Sequence, residues 1–303
     1  MMSIKENLKN SIKSAIDNLL LEEFDIDRSN IPVEFDKTIL LFYKSFRQKM
    51  LPIRRWTVIK HPDVTIPADL NAGFNSLVKA LETGSDDISR YMTTRIAKAG
   101  HVDLMLDCDE IYHFHLSDKD HPKNEKFNAR TDKRAFVYFD YTKDKAYVID
   151  IYRHGAEKNF IKDRLIKLWK QYPEACARNV QEGQLESDYS DGEHAKLRAH
   201  GINSLIQLDE THFFITSGVS ADGITAIDDV FYHNRAMHLI DAYAKNIEAN
   251  VASIFSTSNK IDVTFSCRNR YDVWIKITRN GTTEVEQKLF CIETPHLRQP
   301  AKK

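Results

Sequence analysis

Two alternating runs, 134–141 and 145–152, are joined by the polar link Thr142-Lys143-Asp144. They constrain the chain more than any other feature. Side chains alternate faces along a strand, and a short polar link suits an antiparallel hairpin. A third run, 109–116, precedes them across the polar loop 117–132. Within it, Tyr112, Phe114 and Leu116 fall on one face, and Ile111, His113 and His115 fall on the other. The first trio suits a core. The second brings two imidazoles to one surface, where they suit proton transfer near neutral pH.

Helical spacing predicts helices over 3–24, 35–50 and 69–83, with Gly84 as a stop and Ser85-Asp86 as the cap of a further helix over 86–98. Trp56 to Lys60 reads as a strand, 101–108 fits neither pattern cleanly, and a helix is expected over 156–171. Residues 178–200 are polar and resemble a linker. Beyond them come short strands near 206–208 and 212–215, a long amphipathic helix over 224–255, and strands at 260–268, 271–279 and 283–292. The last two of these flank Asn280-Gly281, a strong hairpin signal. The expectation is an α+β protein with an N-terminal helical region (1–50), an antiparallel-sheet domain with flanking helices (51–175), and a C-terminal α+β domain with a three-stranded meander (200–295).

With 43 basic and 44 acidic residues, the chain is not a globally basic nucleic-acid binder, though a local basic face is possible. It has no apolar run of membrane-spanning length and no secretory pattern after Met1. Cys108, Cys176, Cys267 and Cys291 form no Cys-x-x-Cys pair, which fits free thiols. The expected location is the cytoplasm.

From 56 to 171 the elements run strand, helix, helix, strand, strand, strand, helix. This order resembles the RelE-like mRNA-cleaving toxins. Phe136-Val137-Tyr138, followed by a strand ending Tyr152-Arg153-His154, is similar to the last hairpin of the YoeB branch. In that branch an arginine directly precedes the hydrophobic run. Here Ala135 occupies the place and Arg134 stands one residue away, on the opposite face of a regular strand. The His113-Phe114-His115-Leu116 run followed by Arg130-Thr131 also resembles a family of uncharacterised bacterial proteins. The first resemblance implies an antiparallel sheet with helices on one side, RNA on the other, and a protein partner such as an antitoxin.

Metal-independent RNA cleavage needs a base for the 2′-hydroxyl, cations for the phosphorane-like transition state and an acid for the leaving oxygen. His113, His115 and His154 are the acid–base candidates, and Arg130, Arg134 and Lys98 the phosphate contacts. Arg47, Lys49, Arg54, Arg55, Arg153 and Tyr138 are the candidate RNA-binding residues, with the basic, aromatic-rich segment 41–62 as the clearest local basic zone. No cofactor is expected. The reading is an endoribonuclease of a bacterial toxin or phage-defence system, with oligomerisation open. Its alternatives are a non-enzymatic interaction or sensor module and a nuclease with a metal held by His113, His115 and a third ligand such as His154 or His101. Solvated strand and helix faces explain the same histidines and arginines without any function. The loop 217–223 fits an ordinary helix start better than a phosphate site.

Overall fold

The structure, a computed structural model, describes residues 4–24, 51, 53–94, 103–153, 162–218, 220, 226–254, 261–268, 272–279 and 282–291. The chain divides into two compact units, one formed by residues 1–47 with 229–298 and the other by 48–228 with 299–303. The N-terminal region thus falls in one unit with the C-terminal meander, and 178–208 falls in the other with the central sheet.

In the first unit, α1 (Ile4–Phe24) buries Leu8, Ile12, Ile16 and Leu20, one helical stripe at the predicted spacing. The second unit begins with β1 (Thr57–Lys60) and α2 (Asn71–Thr83). Helix α2 buries Phe74, Leu77 and Leu81 and stops at Gly84 (φ 67°), whose N–H returns to the carbonyls of Ala80 and Leu81. Ser85 then caps a 3₁₀ turn over Asp86–Tyr91, shorter than the helix expected there. The ambiguous stretch becomes α3 (Leu104–Asp109), because the Asp103 side chain accepts the N–H of Leu106 and caps it.

The central strands follow as β2 (Ile111–His115), β3 (Asp120–His121), β4 (Asn124–Asn128), β5 (Lys133–Asp140) and β6 (Lys145–Arg153). The sheet order is β1-β6-β5-β2, with β3 and β4 forming a small hairpin of their own inside the expected loop. Strands β2, β5 and β6 are antiparallel as expected, but β1 lies parallel to β6. The sheet is therefore mixed. The many residues between β1 and β6 let the chain return to the same end of the sheet, which a tight hairpin cannot do.

Helices α4 (Lys162–Gln171) and α5 (Pro173–Cys176) come next. The expected linker is ordered, holding β7 (Val180–Glu182) and α6 (Asp191–Ala199). Ser190 and Glu193 form a reciprocal capping box at the start of α6. Strand β7 joins β8 (Ile206–Gln207) and β9 (His212–Phe214) in a sheet ordered β7-β9-β8. The long helix α7 (Ile227–Ile254) crosses from the second unit into the first. The first unit ends in the meander β10 (Ile261–Arg268), β11 (Asp272–Arg279) and β12 (Thr282–Cys291), paired antiparallel in chain order. The helix expected over 35–50 and the Asn280-Gly281 turn lie outside the described residues.

The central sheet is buried on both faces. Tyr112, Phe114, Leu116, Ala135, Val137 and Phe139 pack with Phe74, Leu77 and Leu81 of α2. Ile111, Phe136, Tyr138, Tyr147 and Ile149 pack on the opposite face with Leu165 and Leu168 of α4, Cys176, and Ile206 and Phe214 of the small sheet.

Candidate functional site

Strand alternation places the β2 side chains as expected, but their surroundings differ from the expectation. Tyr112 and Phe114 lie in the α2-side core. The face that carries Ile111, His113 and His115 is not open along its length, because α4, α5 and the small sheet cover it at Ile111 and Phe136. His115 is 1% exposed. Its Nδ1 accepts the N–H of Thr131 at 3.0 Å, and the Thr131 hydroxyl accepts the N–H of Leu116 at 3.0 Å. This ring anchors the start of β5 to the end of β2. A solvent-facing histidine pair, the sequence expectation, is therefore corrected for His115, which is enclosed between β2 and the start of β5.

His113 is only partly buried. Its Nδ1 lies 3.4 Å from Oδ2 of Asp103, with side-chain exposures of 11% and 15%. Asp103 is held at the start of α3, where its other carboxylate oxygen accepts from Leu106 and its own N–H donates to Asp107. The carboxylate that meets His113 is thus fixed by a helix cap. The His113 ring also stands beside Phe136, its cross-strand neighbour, at a centroid distance of 6.4 Å.

Register brings Arg134 to the same face. It lies directly opposite His115 on β2 and opposite Tyr152 on β6. Ala135 points into the other core, so Arg134 and the hydrophobic run that follows it keep strict alternation. The irregularity lies in β6, where Phe136 pairs with Asp150 and Val137 with Val148, leaving Ile149 as the extra residue. The bulge keeps Asp150 and Tyr152 on the face of Arg134. Helix α4 adds Arg164, 1% exposed, with its guanidinium carbon 3.6 Å from the Phe136 ring centre and 5.5 Å from that of Tyr152. Lys167 reaches Asp150 at 3.6 Å. The polar end of this face therefore gathers His113, His115, Arg134, Asp150, Tyr152 and Arg164.

The remaining candidates among the described residues do not join it. Arg130 is exposed and donates to the hydroxyl of Thr94 at 3.1 Å. Arg153 is exposed and lies 3.6 Å from Asp132. Arg54 is a structural clip: it donates to the Tyr141 carbonyl at 2.7 Å, pairs with Asp144 at 3.0 Å and stacks 4.2 Å over Trp56. Arg55 is exposed. Tyr138 is 1% exposed and donates to Glu110, and burial raises its phenol above the ordinary value. A buried ring cannot stack on a base, so the expected RNA contact at Tyr138 is corrected. His154, Lys98, Arg47, Lys49 and His101 lie outside the described residues.

Sequence reasoning passed over Asp150, Tyr152 and Arg164 as parts of this face. Asp150 and Tyr152 share this face only through the bulge at Ile149, which strict alternation along β6 does not reveal. Arg164 was not legible either, because only packing decides which residue of α4 meets Phe136. Among the described residues no group of three or more His, Cys, Asp or Glu side chains could hold a metal ion, and no helix is long and apolar enough to cross a membrane. No family model, curated protein or solved structure matches this chain.

Proposed function

We propose that the chain is a metal-independent endoribonuclease whose chemistry sits at the polar end of the central sheet. The observation that carries this reading is the Asp103–His113 pair, 3.4 Å apart, on the sheet face that also bears Arg134. A carboxylate beside one ring nitrogen sets the orientation in which an imidazole exchanges a proton through the other. His113 takes the proton of a ribose 2′-hydroxyl. The 2′-oxygen attacks phosphorus, and the bond to the 5′-oxygen breaks, leaving a 2′,3′-cyclic phosphate. Arg134 supplies positive charge for the transition state. His154, which follows Arg153 at the end of β6, is the proton donor to the departing 5′-oxygen. A cytoplasmic role as a toxin or phage-defence effector, paired with a protein partner, follows from the RelE-like resemblance.

One observation favours a second reading, a non-enzymatic interaction or sensor module. His115 and Arg134 are 1% and 5% exposed, and a phosphodiester must reach the groups that act on it. End-labelled single-stranded RNA incubated with the purified protein in the presence of a chelator separates the two. The nuclease reading expects cleavage with a cyclic-phosphate end, slowed on the order of 100-fold or more in His113→Gln and less in Asp103→Asn. Intact RNA under wild-type protein, with the variants behaving identically, leaves the non-enzymatic reading.

A further inference from the structure

On the α2 side of the sheet, away from His113, an open cleft of about 440 Å³ lies between the C-terminal half of α2, the 3₁₀ turn Asp86–Tyr91 and the β3–β4 hairpin. Its floor is built. Asn128, 6% exposed, donates to the Ser117 carbonyl at 2.9 Å and accepts from Arg90 Nε at 3.2 Å. The Tyr91 hydroxyl, also on a buried residue, is hydrogen-bonded to Ser76 and Asn128. Arg90 is held in addition by Asp120.

The walls carry charge of both signs. Lys79 and Asp87 come from the helical side, and Asp118 from the hairpin side. Asp87 accepts from the Ser85 hydroxyl at 2.9 Å, so that charge is partly occupied. Lys79 and Asp118 are different. Both are exposed, both line the cleft, and neither makes an ion pair among the described residues, with each other or with a third group. Two opposite charges that share a cleft without meeting leave room for a ligand that carries the complement of each. Charge also narrows the ligand class. Lys79 and Arg90 balance Asp87 and Asp118 in the lining, so the cleft has no net positive charge to draw a polyphosphate, and the one ring there, Tyr91, is buried and offers no stacking face to a nucleobase. The volume lies within the range of small-molecule sites.

We infer that this cleft binds a small zwitterion of the amino-acid or short-peptide class, with its carboxylate toward Lys79 and its ammonium toward Asp118. The inference does not depend on the nuclease reading, since it uses other residues on the other face of the sheet.

Calorimetric titration of the intact protein with the common amino acids and simple dipeptides, each at millimolar concentration, tests it. Saturable binding of at least one is expected, weakened about tenfold or more by Lys79→Ala and by Asp118→Ala. Both side chains are exposed, so both variants keep the fold, which circular dichroism verifies. Converting the bound ligand's carboxylate to an amide should weaken wild-type binding and have little further effect in Lys79→Ala. Absence of binding, affinity unchanged in both variants, or tighter binding of mononucleotides or inorganic phosphate would overturn the inference.

Discussion

Arg198 of α6 grips Asp109 at the end of α3 through two parallel hydrogen bonds, Nη1 to Oδ2 at 2.8 Å and Nη2 to Oδ1 at 2.6 Å, with side chains 4% and 3% exposed. The pair joins a segment that looks like a polar linker in the sequence to the start of the central sheet. A buried pair is weak evidence of net stabilisation, but removing one partner strands the other charge away from water. Asp109→Ala is expected to lower stability by about 3–5 kcal/mol in urea unfolding. The double variant Asp109→Leu with Arg198→Met should recover much of that loss, whereas independent effects would add.

Gly73 sets how closely α2 approaches the sheet. A Cβ at this position would stand 2.0 Å from the Leu116 carbonyl oxygen, and backbone cannot move aside as a side-chain tip can. Alanine is the better helix former by about 1 kcal/mol, so propensity alone predicts that Gly73→Ala stabilises. The close approach predicts the reverse, a loss of about 3 kcal/mol, seen as a lower Tm. A raised Tm would mean that α2 does not pack at this distance.

Burial pushes the thiols of Cys108 and Cys176 up to about 12, and both residues are buried and free. A thiol rather than a thiolate, shielded from solvent, reacts slowly. A disulfide reagent at neutral pH should leave both unmodified in the native protein, as read by peptide mass after quenching. Modification should follow denaturant in step with unfolding. Rapid labelling of either residue in the native state would contradict the packing described.

His194 of α6 is fully buried, with Nδ1 2.6 Å from the hydroxyl of Ser204. Burial first, then the Arg198 and Lys162 cations, lower its tendency to protonate, against weaker opposite contributions from Asp188 and Asp191. A histidine with a lowered native pKa leaves the unfolded chain binding more protons once the pH drops below about 6.5. Its neutral form is therefore fully compatible with folding above that value, and stability falls as the pH descends through the window between the unfolded and native pKa values. His233 in the other unit is shifted in the same direction, by burial and then by Lys9. The urea midpoint should drop between about pH 7.5 and pH 5.5, and His194→Gln should shrink that drop. An identical pH dependence in the variant would remove His194 from the account.

Local pattern and long-range packing contributed different parts of this protein. Period-two alternation assigns Tyr112 and Phe114 to one core and His113 and His115 to the other face, and the structure keeps that assignment. Gly84, Ser85 and the apolar stripe of α1 mark helix boundaries and faces through capping and spacing, which act within a few residues. Segment 178–200 shows the limit of composition. It is polar enough to resemble a linker, yet the Ser190–Glu193 capping box starts a helix there, and Arg198 docks that helix on a carboxylate 89 residues away.

The sequence by itself determined which side chains share a strand face, because alternation is a property of the backbone of each strand alone. Only the tertiary structure decided whether that face meets water. The layer of α4, α5 and the small sheet over Ile111 and Phe136, and the parallel return of β6 beside β1, join residues distant along the chain. Such contacts form when apolar surfaces are buried together, and no local period records which surfaces those are.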